Sequence, residues 1–188
     1  MADATYLTDH FLIAMPTLDD ENFARSVVYV CQHNADGAMA LVINRLAGFV
    51  LGDVLQELEL PAAAADVASM PVHMGGPVQP ERGFILHAPD ARTWDSSLEI
   101  APDMRLTTSR DILTAIADGS PPPRALFALG YAGWGAGQLE KELRENAWLT
   151  VAADRTTVFD SPADQRWQAA MGLVGVDFTQ LSGQAGNA

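Results

Sequence analysis

The chain has 188 residues, 48% of them hydrophobic, and carries 24 acidic against 11 basic side chains for a formal net charge of −13. A chain of this length and apolar content fits one globular domain over residues 1–188 and is too hydrophobic for a disordered one. The charge argues against direct DNA binding and against an anionic membrane surface, because both draw on Lys and Arg.

Met1 to His10 holds Asp3 and Asp9 and no basic residue. It lacks the positive region that opens a signal peptide. No apolar run approaches the ~18 residues of a membrane span, so the cytoplasm is the expected compartment. Phe11–Met15 is a short apolar run closed by Pro16, which predicts a strand. Asp19-Asp20-Glu21 reads as the acidic start of a short helix. Ser26–His33 is rich in β-branched and aromatic residues. Asn34-Ala35-Asp36-Gly37 has the residue preferences of a type I turn, and Ala38–Asn44 runs back. Both arms of this hairpin are apolar on both faces, which predicts a central position covered on each side.

Leu51, Val54, Leu55 and Leu58 fall at helical spacing, so Leu51–Leu60 is expected to be a helix stopped by Pro61. Ala62–Ala65 is an alanine run of open assignment. Pro71–Met74 and Gly83–His87 read as strands around a Gly75-Gly76-Pro77 turn, and Ser97–Ile100 as a short strand. Ser109 is placed to cap a helix containing Ile112, Leu113 and Ile116, ended by Gly119. Pro121–Pro123 is a stiff connector. Ala125–Leu129 predicts a strand, and Gly130, Gly133, Gly135 and Gly137 a loop carrying Tyr131 and Trp134. Gln138–Asn146 follows as a helix with Glu140–Arg144 and Lys141–Glu145 pairs at i,i+4. Trp148–Ala152 and Thr156–Phe159 suggest a second hairpin. Ser161-Pro162-Ala163-Asp164 has the signature of a helix start, and Gly183–Ala188 is expected to fray. Hairpins with interspersed helices give an α+β class with a largely antiparallel sheet.

The chemistry-bearing residues are few. The single cysteine, Cys31, sits mid-strand as a buried thiol and excludes multi-cysteine metal sites. The glycine run 130–137 stands between strand and helix, where backbone amides can hold an anion. Its spacing fails the dinucleotide and P-loop patterns, and Glu140 in the first helical turn opposes an anion there. A tight, aromatic-packed loop is the favoured reading. Gly75 and Gly76 read first as turn residues. His73 and His87 could face each other across strands, but no metal-ligand spacing accompanies them. Asn44 and Arg45 end an apolar strand, where polar residues either satisfy turn backbone or line a cleft. The residues that could form a binding site are Asn44, Arg45, Gly75, Gly76, His87, Trp134 and Gln138. No catalytic set, metal or cofactor is indicated.

The ordered stretches Phe11-Leu12-Ile13-Ala14-Met15-Pro16, Leu41-Val42-Ile43-Asn44-Arg45, Gly75-Gly76-Pro77-Val78, Gly83-Phe84-Ile85-Leu86-His87, Gly130-Tyr131-Ala132-Gly133-Trp134 and Asn146-Ala147-Trp148-Leu149 resemble the AlgH/YqgE-like family of bacterial proteins. The resemblance runs over nearly the full length. It implies a single α+β domain with a bifurcated sheet curled into a pseudo-barrel. It also implies a regulator of alginate synthesis, with no accepted catalytic residues to carry over. Ala40 stands where the family usually has Gly, and Asn187 replaces the His of a terminal Gly-His-Ala. The expected role is a non-enzymatic regulatory or binding protein that acts through another protein or a small ligand. The alternative is a ligand-binding domain or enzyme whose cleft combines Asn44, Arg45, His87 and Trp134.

Overall fold

A computed structural model describes residues 5–15, 23–62 and 64–175. The acidic stretch 19–21, Pro16 and the tail 183–188 lie outside them. Ten strands and five helices follow in chain order among the described residues: β1 (His10–Ala14), β2 (Val27–Asn34), β3 (Gly37–Val42), β4 (Leu46–Val50), α1 (Leu51–Glu57), α2 (Ala65–Ala68), β5 (Pro71–Met74), β6 (Val78–His87), β7 (Ser97–Ala101), β8 (Met104–Thr107), α3 (Arg110–Ala117), β9 (Ala125–Gly135), α4 (Gln138–Arg144), β10 (Trp148–Ala152) and α5 (Arg166–Val174).

The strands form one sheet in the order β10-β1-β2-β3-β9-β6-β8-β7, with β5 joining β9 and β4 joining β5. The β2–β3 hairpin turns at Asn34–Gly37 and is central, as its composition predicts. Its alternation explains the two apolar faces. Phe11, Tyr29, Leu41 and Ile43 point into the curl of the sheet with Phe84, Leu86 and Leu126, closed by Ala170 and Met171 of α5. Val28, Val30, Ala40 and Val42 point outward beneath Leu139 of α4, with Trp134 and Trp148. A second outer layer sets Val72, Ile85 and Phe127 against α1 and α3 through Leu51, Leu55, Ile112 and Ile116. The result is the α+β half-barrel with a bifurcated sheet.

The bifurcation occurs along β9. Its first half lies between parallel β5 and antiparallel β6. Its second half pairs with β3, from Ala40↔Ala132 to Gly37↔Gly135. The predicted glycine loop is therefore strand as far as Gly135, and Gly137 stands outside it at the start of α4. Glycine is a poor strand former, but pairing with β3 overrides that preference here. The two strands around Gly75-Gly76 do not pair with each other, because both pair with β9. The glycines are needed where the chain leaves β5: a Cβ on Gly76 would sit 2.2 Å from the carbonyl of Tyr131, and one on Gly130 (φ +75°) would sit 2.3 Å from the carbonyl oxygen of Gly76. Two backbones cross there at a distance only glycine permits.

Other expectations change. Thr156–Asp160 is a π-helical turn, not a strand. β10 ends the sheet, paired with β1, and Thr157 and Val158 are buried on the turn and not in a ladder. Residues 161–165 begin with a 3-10 turn before α5, with no side-chain cap from Ser161. Ser109 occupies the N-cap position of α3 without capping; Asp111 takes the Ile112 amide instead. Strands β4 and β8 and helix α2 complete the fold.

Candidate functional site

A cavity of about 750 Å³ lies in the fork of the sheet. One bank is the end of the β2–β3 hairpin, with Gln32, Asp36 and Met39. The other is β6, β7 and β8, with Gln79, Arg82, Ser97 and Thr108. Phe84, Leu106 and Tyr131 form an apolar floor between them. Phe84 and Leu106 are buried, and the Phe84 and Tyr131 rings meet edge to face with centroids 5.5 Å apart.

A bulge in β6 shapes this bank. β6 pairs with β9 at Val78↔Tyr131 and resumes only at Gly83↔Leu129, so residues 79–82 loop away from the ladder. Gln79 has φ +47°. The bulge presents Arg82 to the cleft. Its guanidinium lies 5.4 Å above the centre of the Phe84 ring and donates at 3.3 Å to Gln79 Oε1 and at 3.3 Å to Thr108 Oγ1. Among the described residues no carboxylate lies within 4 Å of it.

The residues singled out in the sequence are spread around the fold. Asn44 Oδ1 accepts from the Val27 amide at 2.9 Å, and its Nδ2 donates to the Arg25 carbonyl at 3.0 Å. Arg45 donates to the Ala24 carbonyl. Both tie down the start of β2. Asn44 borders a cavity of about 290 Å³ with Arg25 and Trp167. Arg45 and Gly76 border another, of about 680 Å³. Gly75 and Gly76 form the backbone crossing. Gln138 Oε1 accepts from the Gly135 amide at 3.0 Å and fixes the end of β9. Trp134 borders the fork cleft, but its indole N–H goes to Glu142 Oε2 at 2.7 Å, which also accepts from Trp148 at 3.0 Å.

His87 sits at the other end of β6, opposite Ala125. Trp134 is nine residues further along β9, roughly 30 Å of extended strand. The four residues Asn44, Arg45, His87 and Trp134 thus do not converge on one cleft. His87 is buried. Its Nδ1 lies 2.9 Å from the Ala88 carbonyl, which can only accept, and its Nε2 lies 2.7 Å from Thr107 Oγ1. Thr107 Oγ1 is in turn 2.9 Å from Ser97 Oγ on the cleft wall. Desolvation lowers the pKa of His87 and keeps the ring neutral.

Elsewhere the polar groups tie elements together. His73 Nδ1 donates to the Phe127 carbonyl at 3.0 Å, and its Nε2 accepts from Arg166 at 2.7 Å. Arg166 also donates to the carbonyls of Ile43 and Thr157. Burial, then the neighbouring Arg166 charge, lowers the pKa of His73 to about 4. Burial lowers that of Arg166 to about 10. His33 links β2 to Glu140 on α4 at 2.9 Å. Arg155 bridges Asp9 and Asp103. Cys31 is fully enclosed, and desolvation raises its thiol pKa far above the usual range. Among the described residues no group of three or more His, Cys, Asp or Glu side chains could hold a metal ion, and no helix is long and apolar enough to cross a membrane.

Phe84 and Tyr131 lie in the Gly83–His87 and Gly130–Trp134 stretches but are not among the site residues singled out there, and Arg82 belongs to no motif. One signal for them exists in the sequence: Pro80 inside a strand run marks a bulge.

Comparison with known proteins places these features in a group. A family profile described as AlgH-like matches residues 11–179. A UPF0301 protein of Nitrosococcus oceani is 52% identical over 188 residues, spanning all of both chains. One from Methylococcus capsulatus is 50% identical over 186 residues, 99% of this chain and 98% of that one. The solution structure of the AlgH protein from Pseudomonas aeruginosa superposes with a TM-score of 0.80 at 47% identity, covering 100% of this chain and 99% of that one. A Corynebacterium diphtheriae protein shares the fold with a TM-score of 0.70 at 18% identity, over 91% and 88% of the two chains.

Proposed function

The chain belongs to the AlgH-like family, and on that premise we propose that it is a non-enzymatic cytoplasmic binding protein whose working surface is the fork cleft. The observation that carries this reading is the cleft itself: about 750 Å³ with an apolar aromatic floor and a polar rim, the makeup of a small-ligand site. Any control over transcription then passes through a protein partner that makes its own DNA contacts. Two features support an indirect route. The net charge is −13, and Arg92, Arg105, Arg124, Lys141 and Arg155 each lie against a carboxylate.

A thermal-shift screen of metabolites on the full chain tests the binding role. A ligand at about 100 times its Kd raises stability by about 2.7 kcal/mol, which is roughly 5–10 °C at this size. Ser97→Trp, which fills the cleft from its exposed rim, should abolish the shift. A shift that survives Ser97→Trp refutes the cleft as the site. For the indirect route, a salt-titrated duplex-DNA assay should show no binding at physiological salt; submicromolar affinity would overturn it.

A second reading, an enzyme working in the same cleft, draws on the His87–Thr107–Ser97 chain, which leads from a neutral imidazole to a hydroxyl on the cleft wall. A reactive Ser97 would be labelled by a fluorophosphonate, and His87→Ala would suppress the labelling. An unlabelled Ser97 removes this reading.

A further inference from the structure

We propose that the occupant of the fork cleft is an amphipathic monoanion, a small molecule with an apolar body and one carboxylate or phosphate group, and that Arg82 receives the anionic group. The inference rests on the cleft being a binding site and adds the class of ligand.

Arg82 is the cation among the residues lining the cleft. Arg92, Arg105, Arg124, Lys141 and Arg155 each lie against a carboxylate; Arg82 has no carboxylate within 4 Å among the described residues. Its two hydrogen bonds are long, at 3.3 Å each, and go to the neutral oxygens of Gln79 and Thr108. A guanidinium offers five N–H donors in a fixed fork that matches an oxyanion. The Phe84 ring lies 5.4 Å from its guanidinium carbon, a cation–π contact that holds the side chain over the cleft floor. Hydroxyls of Ser96, Ser97 and Thr108 lie along the same bank and provide further donors. The floor of Phe84, Leu106 and Tyr131, with Met39 on the hairpin bank, has no counterpart for a second charge and suits an apolar body.

The charge is limited to one. Asp36 faces from the opposite bank, and the protein as a whole carries −13. Polyanions such as nucleoside triphosphates are repelled by both. A single oxyanion at Arg82 leaves the rest of the ligand neutral against the apolar floor.

The test uses two dyes of one skeleton on the full-length protein. 8-Anilinonaphthalene-1-sulfonate carries the anion, and N-phenyl-1-naphthylamine lacks it. Both should show saturable fluorescence enhancement with the unaltered chain. Arg82→Gln should weaken the sulfonate by about tenfold or more, the loss expected for a charged hydrogen-bonding partner. It should leave the neutral dye within about twofold of its original affinity, and Arg82→Lys should recover part of the loss. Because Arg82 is exposed, neither variant threatens the fold. Sulfonate binding that is unchanged in Arg82→Gln overturns the inference, as does equal weakening of both dyes or binding of the neutral dye alone. Failure of both dyes to bind the unaltered chain refutes the cleft as a binding site, and this inference with it.

Discussion

Gly130→Ala isolates the backbone crossing that splits the sheet. Gly130 has φ +75°, and a Cβ there would meet the Gly76 carbonyl oxygen at 2.3 Å, Pro80 Cα at 3.1 Å and the Val78 carbonyl oxygen at 3.3 Å. All three are backbone atoms, so no side chain can swing aside. The left-handed conformation alone costs an alanine about 1–2 kcal/mol. Crowding a packed site costs about 1–3 kcal/mol more. The expected loss is roughly 2–5 kcal/mol, a fall in Tm of roughly 5–15 °C at this size. Gly137 provides the control: it also has φ +75°, but nothing lies within 4 Å of its Cβ position. Gly137→Ala should therefore lose only the conformational part, roughly 3–6 °C. Urea titrations followed by circular dichroism compare the two variants directly. Equal destabilisation would mean that the crossing imposes no contact cost and would refute the account of the fork.

Glu142→Ala should destabilise by about 1–3 kcal/mol and shift the tryptophan emission, because the buried indole N–H groups of Trp134 and Trp148 lose their shared acceptor; Glu142→Gln, which keeps a carbonyl oxygen, should lose less in the same denaturation assay. His73 has a folded pKa of about 4 against a usual 6.5, so the unfolded chain takes up the proton first. Its contribution is fully present above pH ~6.5, falls as the pH drops and is lost by pH ~4, a change of about 3 kcal/mol; His73→Gln should flatten the acid limb of a stability–pH curve by that amount. Cys31 should resist Ellman's reagent in the native state and react at the rate of unfolding, since its thiol is enclosed and held protonated; rapid native labelling would contradict the packing around β2.

The parts of the fold written in the sequence are those where local pattern and tertiary demand agree. The β2–β3 hairpin shows its turn and both of its buried faces in composition alone. The glycine run in β9 does not, because glycine's aversion to strands is a local preference and the pairing with β3 is a long-range one. Thr156–Phe159 misleads in the opposite way: its β-branched residues suit a strand, but Thr157 and Val158 bury their side chains on a π-helical turn instead of in a ladder. β4 is apolar in sequence but mostly exposed, and Gly48 inside a five-residue run gives no period-two alternation that would mark a strand. At the site, Asn44, Arg45 and Gln138 stood out as polar residues at element ends, and each proves to hold backbone groups. Arg82 did not stand out, because its position depends on a bulge whose geometry emerges only once β9 is in place.

That dependence ties stability to the cleft. Pro80 and Val78, which sit against Gly130, belong to the same stretch of β6 that carries Arg82 over Phe84. A methyl group on Gly130 would clash first with the Gly76 carbonyl oxygen and would also crowd Pro80 and Val78, so part of the shift falls on this bulge. The displacement would lift Arg82 from the Phe84 ring without altering its charge. Gly130→Ala should therefore weaken the sulfonate dye more than the neutral one, as Arg82→Gln does, while Gly137→Ala leaves both unchanged. Fluorescence titration at a temperature where both variants remain folded separates this effect from lost stability. If Gly130→Ala binds both dyes as the unaltered chain does, the bulge does not position Arg82, and the crossing serves the sheet alone.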